Sequence, residues 1–433
     1  MAKRKSSKKQ KPSFKAIAVI AVAAVLIAVA VFTWGWFARG MTPLQTIEYL
    51  FGKETDKTPT DNTQTEDKTQ IDVSTSTFDE NTVKVVSEGE FSVHFLELGN
   101  ANTGDCIYVR AEGNDILIDA GSKVNSIPTI KEYLDRFVSD NKLEYVIATH
   151  AHEDHIAGFA GSKDYQSLFR EYVCETIVDF PKTDSTSATY SRYKAERDAE
   201  VEAGAKHYTA LECYKGENGA KRSYSLGKNT SMTFLYNYFY ENASSNGEND
   251  YSVCLLFTHK GKNYLFTGDL ENEGKIKAEE KLVELNDLPH CELFKAGHHG
   301  SKTSSSSALL DVIKPKIVCV CCCAGNAEYT KTEENQFPTQ AFIDRVSYYT
   351  DAVYVTTLGA YDFLPDDVKQ KFADEKNKAF GSMNGTIIAL AVEVESAGVN
   401  ECKTEMYFSN NSLKLKDTEW FKAKRTVPSR WAA

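Results

Sequence analysis

Residues 150–155 read His150-Ala151-His152-Glu153-Asp154-His155 and follow the apolar run Tyr145-Val146-Ile147-Ala148-Thr149. Three of the chain's nine histidines fall in this window. Histidine and aspartate are the usual ligands for zinc and related metals. On extended backbone, positions i and i+2 share a side, so His150 and His152 can grip one ion together. A helix starting near Ile156-Ala157-Gly158 would put Asp154 and His155 at its entrance, within reach of a second ion. A solvent-facing polar loop would account for one histidine but not for this cluster. The segment reads as a metal site, with two ions.

The surrounding chain alternates strands and helices. Strand-like runs cover 91–98, 106–110, 115–118, 145–149, 231–236, 252–258, 264–266, 292–296, 317–323 and 352–356, and helical patterns fit 128–138, 271–285, 305–312 and 339–348. Chemically suggestive residues fall just after strands: Asp119, the histidine cluster, Asp269 after Phe266-Thr267-Gly268, and His298-His299 after Lys295-Ala296-Gly297. Strand ends on one rim are where such α/β sheets carry their sites.

The N-terminus is of another kind. Residues 1–15 carry seven positive charges and no acid. The whole chain is at −11, so residues 16–433 carry −18. Residues 16–37 are uncharged and mostly apolar, and about 20 such residues cross a bilayer core. Trp34, Trp36 and Phe37 cluster at the far end, where aromatics favour the membrane interface. A cleaved signal peptide would be shorter and end in small residues. The expected layout is a basic cytoplasmic tail (1–15), one transmembrane signal anchor (16–37), a mostly disordered linker (38–82) and a hydrolase domain (83–433). The lysine-rich side stays cytoplasmic, which places the catalytic domain outside the cell membrane.

Ten cysteines suggest disulfides in an exported domain. Four of them crowd the strand-like run Cys319-Val320-Cys321-Cys322-Cys323, where a thiol is more often a small core residue. Most read as core, with bridges left open; free thiols would indicate a reducing or anoxic compartment.

These motifs resemble the metallo-β-lactamase superfamily and, within it, the hydrolase domain of competence-type DNA-uptake proteins. The strings that carry the likeness are the His-x-His-x-Asp-His cluster, Val93-His94-Phe95-Leu96-Glu97-Leu98-Gly99, Ile116-Leu117-Ile118-Asp119-Ala120-Gly121, Leu265-Phe266-Thr267-Gly268-Asp269-Leu270 and Gly297-His298-His299-Gly300-Ser301-Lys302-Thr303-Ser304. The resemblance spans about 90–390 and implies a four-layer αββα sandwich. It implies two divalent metal ions, Zn²⁺ with Mn²⁺ as the alternative. His150 and His152 would hold the first, Asp154 and His155 the second, and Asp269 would bridge. His298 is the first choice for the remaining ligand and His299 the second. Asp119 would orient a ligand histidine, and Asp154, holding the nucleophile's metal, could take its proton.

Two departures stand out. The ligand histidine that the superfamily places ahead of Thr-Gly-Asp is missing. His207 is too early and His259 falls in a turn, which leaves Asn249 or Asp250 as substitutes. The family's Gly-Gln-Gly-Asp loop is altered to Gly99-Asn100-Ala101-Asn102-Thr103-Gly104-Asp105.

The resulting expectation is phosphodiester hydrolysis by water activated between two metals. Ser301, Lys302, Thr303 and Ser304 are candidate phosphate contacts, or alternatively a helix cap. The substrate is nucleic acid or a cell-wall polymer; no protein partner is inferable. An acidic body is a poor general nucleic-acid surface, although Lys302, Lys314 and Lys316 lie near the expected strand ends. A phosphocholine or teichoic-acid esterase is the alternative, and a non-catalytic binding module that kept the fold is the third reading. The stretch 190–224, outside the expected core, is read as a substrate-selecting segment or a surface insertion.

Overall fold

The computed structural model describes residues 79–396 and 399–432. The expected basic tail, the anchor at 16–37 and nearly all of the linker lie outside the described residues. Among the described residues, no helix is long and apolar enough to cross a membrane.

The first described element is a helix. Helix α1 (Glu80–Glu88) is capped by the Asp79 carboxylate, which accepts from the Thr82 amide at 2.9 Å. Such a cap satisfies an amide that the first turn leaves open. Val83 and Val86 are buried beneath it.

Two eight-stranded mixed sheets follow. The first runs β16-β15-β1-β2-β3-β4-β5-β6. Its strands are β1 (Phe91–Phe95), β2 (Ile107–Ala111), β3 (Asn114–Ile118), β4 (Lys142–Ile147), β5 (Val173–Asp179), β6 (Lys206–Thr209), β15 (Ile387–Ser396) and β16 (Val399–Phe408). The second runs β14-β13-β12-β11-β10-β9-β8-β7. It is built from β7 (Ser223–Ser225), β8 (Thr230–Phe234), β9 (Leu255–His259), β10 (Lys262–Phe266), β11 (Leu293–Lys295), β12 (Ile317–Ala324), β13 (Val353–Leu358) and β14 (Gly381–Ser382). In each sheet the four strands that lead to the site are parallel: β3 to β6 in the first and β10 to β13 in the second.

The layering follows from period-2 burial. Between the sheets, Phe91 packs on Tyr264 and Phe257 with ring centroids 4.7 and 6.2 Å apart, and Phe95 packs on Phe266 at 6.4 Å. The alternate residues Leu265, Phe294, Val318 and Val320 face the other way, into a cluster with Leu282, Leu309, Ile313 and Phe342. Those four sit on the outer helices α7 (Ala278–Leu285), α8 (Ser307–Ile313) and α9 (Gln340–Val346). On the first sheet, α2 (Ile127–Leu134), α3 (Glu153–Ala160) and α5 (Ala188–Ala203) lie outside. Fully covered on both faces, the central strands read as continuous apolar runs.

Several expectations shift. The helix expected over 271–285 begins at Ala278. Glu271 is held at the site instead, and Gly274 takes φ +77. The stretch 190–224 is structural, carrying β6 and most of α5. Tyr193 is fully buried and donates to Asp179 at 3.0 Å; Arg197 and His207 complete that carboxylate at 2.7 and 2.9 Å. Lys314 and Lys316 precede β12 and sit at the rim opposite the site, where Lys316 pairs with Glu292 at 3.3 Å.

All ten cysteines are unpaired and buried, with burial raising the thiol pKa wherever it shifts, as at Cys254 and Cys319. The thiolate is the reactive form. Ellman's reagent is therefore expected to titrate less than one thiol in the native protein and ten after unfolding. Rapid native reaction of several thiols would contradict this packing.

Candidate metal centre

The strand ends converge on one rim. Asp119 leaves β3 with φ +57, which turns its carboxylate back under β4. There Oδ1 accepts from the Thr149 amide and Oδ2 from the Thr149 hydroxyl, both at 2.7 Å. Oδ2 also lies 2.8 Å from His155 Nδ1. This fixes the ring so that Nε2 faces outward, the arrangement in which a carboxylate orients a ligand histidine. The approach of the chain segments is close: a Cβ on Gly121 would stand 1.5 Å from the Asp154 carbonyl oxygen.

His155 Nε2 lies 3.1 Å from Asp269 Oδ2. From the second sheet, the turn Gly297–Gly300 presents two histidines in left-handed conformation, His298 at φ 42 and His299 at φ 55. Adjacent side chains in that conformation diverge. His299 is buried; Nδ1 sits 2.8 Å from the Cys321 carbonyl, and Nε2 points inward, 3.1 Å from Asp269 Oδ2 and 3.5 Å from Asp154 Oδ2. His298 turns toward Glu271, 2.8 Å from its Oε1, and its Nε2 is 4.0 Å from Asp269.

Asp154, His155, Asp269 and His299 thus form a group whose ligand atoms lie within 4.8 Å of one another. His299, the second choice from sequence, is the histidine in that group. His150 and His152 stand together beside it, Nε2 to Nδ1 at 3.0 Å, with the His150 ring 4.1 Å from that of His155. Asn249 reaches the site, 3.4 Å from His298 Nδ1. Asp250 Oδ2 accepts from the Ser244 hydroxyl at 2.5 Å, and its Oδ1 is buried without a hydrogen-bond partner among the described residues. His259 stacks on Phe91 at 5.1 Å and His207 holds Asp179, so neither belongs to the centre.

Two residues that the sequence did not single out as functional complete the interior. Lys295 is fully buried; its ammonium is ion-paired with Asp105, donates to the Gly268 carbonyl at 3.0 Å and lies 3.3 Å from Asp269 Oδ1. Asp105, from the altered glycine loop, lies 3.2 Å from His299 Nδ1. A lysine in the run Leu293-Phe294-Lys295-Ala296 is itself a signal, since lysine is almost never fully buried unless paired.

The charge balance is tested by this donor set. Four carboxylates (Asp105, Asp119, Asp154 and Asp269) gather around one fixed cation, Lys295. Burial opposes charge on both His155 and His299, yet the Asp269 carboxylate, with Asp119 for His155 and Asp105 for His299, holds them well above the usual histidine range. Burial likewise opposes ionisation of Asp269, and the neighbouring histidines and Lys295 hold it well below the carboxylate range. Buried carboxylates in excess call for further positive charge. His299 Nε2 has no hydrogen-bond partner of its own. Two imidazoles and two carboxylates with an unpartnered ring nitrogen aimed among them fit a divalent cation of the zinc or manganese type.

The loop after His299 is braced from behind. Arg345 donates to the carbonyls of Ser304, Ser305 and Lys302 at 2.7, 2.9 and 3.1 Å. The Ser301 and Thr303 hydroxyls are 2.8 Å apart, and Thr303 donates to Glu271 at 2.8 Å. Ser304 is buried, and Ser306 rather than 301–304 caps α8. Of the four candidate phosphate contacts, Lys302 is the exposed one.

Glu279 on α7 accepts from the Ser305 and Ser306 amides at 2.6 and 2.7 Å. Burial outweighs those bonds and pushes its pKa up to about 7 from 4.5. A carboxyl whose folded pKa is raised keeps its proton longer in the folded state, so its contribution to stability declines as pH rises from about 4.5 to about 7, by at most about 1.4 kcal/mol per pH unit. Urea unfolding at pH 5, 6 and 7 is expected to show this decline in the wild type relative to Glu279→Gln. Parallel pH dependences would contradict the assignment.

Several known proteins are similar to this chain. The family model described as the metallo-beta-lactamase superfamily matches residues 99–167, which include the histidine cluster. The chain is 29% identical over 156 residues to Recombination protein 2 of Haemophilus influenzae, covering 35% of this chain and 18% of that protein. It is 25% identical over 247 residues to ComE operon protein 3 of Bacillus subtilis, covering 53% and 28%. It therefore spans about a fifth of the first relative and somewhat over a quarter of the second. Matching solved structures include CmlA, a diiron beta-hydroxylase from Streptomyces venezuelae (13% identity, 60% of this chain and 48% of that one, TM-score 0.31). A metallo-beta-lactamase HARLDQ-motif mutant from Cronobacter sakazakii also matches (16% identity, 51% and 80%, TM-score 0.30). Superpositions at these scores add no argument about the site. Residues 99–167 thus match the metallo-beta-lactamase superfamily model, the chain is similar in sequence to Recombination protein 2 and ComE operon protein 3, and the described residues bring a candidate metal centre together at the sheet rim.

Proposed function

We propose that the protein is a metal-dependent phosphodiesterase, anchored through residues 16–37 with its hydrolase domain outside the cell membrane. The observation that carries the reading is the convergence of Asp154, His155, Asp269 and His299 around an unpartnered imidazole nitrogen. These four would hold one divalent ion, and His150 and His152, with Asp269 between the sites, a second. Bound there, such ions supply Lewis acidity toward a phosphoryl oxygen and a nucleophile at neutral pH.

The chain's own residues do the rest. Asp119 sets the His155 ring, and Lys295 with Asp105 fixes the Asp269 carboxylate from beneath. Arg345 and Glu279 hold the loop that carries His298 and His299, while Lys302 stands exposed on the rim toward an anionic substrate. Asp154, half-buried at the mouth, would take the nucleophile's proton. The likeness to Recombination protein 2 favours a nucleic-acid phosphodiester.

The test is hydrolysis of bis(p-nitrophenyl) phosphate with added Zn²⁺ or Mn²⁺. Metal-dependent turnover that disappears with chelator and in Asp154→Ala supports the reading. Absence of turnover with either metal contradicts it.

A further inference from the structure

The loop between β12 and α9 brings a tyrosine to the mouth of the centre. Tyr329 is 53% exposed, yet its hydroxyl donates to Asp154 Oδ2 at 2.6 Å. Its ring rests on Phe337, centroids 5.3 Å apart and planes at 43°, and Phe337 in turn lies against the rings of His298 and His299 at 5.6 and 5.9 Å. The loop is tied across the rim to the other sheet: Asn326 donates to the Ala101 carbonyl at 2.7 Å, and the Glu328 carboxylate accepts from the Thr103 amide at 2.9 Å. The ring is thus anchored at its hydroxyl, supported by a second aromatic, and open to solvent.

Exposed single aromatics are common on protein surfaces; Tyr329 differs in being held at the site by its hydroxyl. This one is fixed by a ligand carboxylate of the candidate centre. Whatever group adjoins a phosphodiester held there would lie within reach of its free face. A single braced ring suits a planar partner, because every nucleobase offers a π-face, whereas a quaternary ammonium is recognised by a cage of several aromatics. The acidic body sharpens the point: phosphate neutralisation cannot supply much affinity on a surface of net negative charge, so stacking has to contribute.

We infer that Tyr329 is a substrate-contacting platform that stacks a nucleobase beside the phosphodiester at the metal centre. The inference rests on the phosphodiesterase reading and narrows its substrate class to nucleotides and single-stranded nucleic acid.

The experiment uses the full chain in detergent as wild type, Tyr329→Phe and Tyr329→Ala. The probes are a fluorescein-labelled DNA decamer and an abasic decamer of the same backbone length. Equilibrium binding is read by anisotropy, and cleavage is measured separately with Mn²⁺. One lost stack is worth about fivefold or more in affinity. Tyr329→Ala is expected to weaken binding of the base-containing strand by at least that factor and leave the abasic strand unchanged. Tyr329→Phe, which keeps the ring but loses its bond to Asp154, is expected to fall between wild type and Tyr329→Ala on the base-containing strand and to match wild type on the abasic one. Equal weakening of both strands, or of neither, overturns the inference. So does displacement of the strand by a choline phosphodiester in wild type but not in Tyr329→Ala, which would assign the ring to a cation. Failure of the phosphodiesterase reading shows separately, as absence of cleavage in wild type whatever the binding result.

Discussion

Replacing Lys295 by methionine is expected to destabilise the folded protein by about 3–5 kcal/mol, the cost of removing one member of a buried ion pair. The ammonium is fully buried between Asp105 and Asp269. Its pKa change agrees with that placement: burial pulls it down, and the two carboxylates more than reverse this, leaving it raised. On the partner side, burial raises Asp105, and Lys295 leads the interactions that bring it below the usual carboxylate range. The lysine's contribution is present below its unfolded pKa and lost at high pH. The carboxylates' contribution is present above theirs and lost in acid. The network therefore acts across neutral pH. Methionine fills comparable volume, so the change isolates the charge. Urea unfolding at pH 7 checks it, and an unchanged midpoint would show that the two carboxylates do not need the cation.

Asp269→Asn is expected to abolish hydrolysis by about a thousandfold or more. A metal contributes several kcal/mol to charge stabilisation in such a reaction, and each 1.36 kcal/mol is a factor of ten. Asp269 Oδ2 is the atom that lies within 3.1 Å of both His155 Nε2 and His299 Nε2. Changing it removes the shared acceptor at the middle of the group. Asp119→Asn touches the same histidine from behind and is expected to cost less, about 10–100-fold, as for an outer partner of a ligand. Metal content per chain and turnover, measured together, check the order. Equal effects of the two substitutions would contradict the distinct roles assigned to them.

How far the site could be read in advance depends on where each residue lies along the chain. His150, His152, Asp154 and His155 occupy one strand-to-helix turn, so their spacing alone states their geometry. His298 and His299 are neighbours in a left-handed turn, and only φ decides which ring points inward. Asp269 is legible because it closes the Thr267-Gly268-Asp269 turn just after a strand. Lys295 and Asp105 were not assigned, because their pairing joins segments 190 residues apart in sequence. Tyr329 sits in a polar loop with no periodicity and is recognisable only once the loop is seen to cross the rim. Ten of the sixteen strands among the described residues match strand-like runs in the sequence, their ends off by up to three residues. The hairpin β15–β16, with its alternating Val392-Glu393-Val394-Glu395, carried a readable pattern that the motif-led reading did not use. In the loop after His299, the Ser301 and Thr303 hydroxyls bond to each other and Thr303 to Glu271, contacts that spacing alone does not reveal.

The central claim is that four side chains from two sheets form one metal-binding group. Anomalous diffraction from crystals grown with Mn²⁺ or Zn²⁺ tests it most directly. The account predicts a peak enclosed by Asp154, His155, Asp269 and His299. A map with no peak there, or with metal bound only at surface carboxylates, would contradict it.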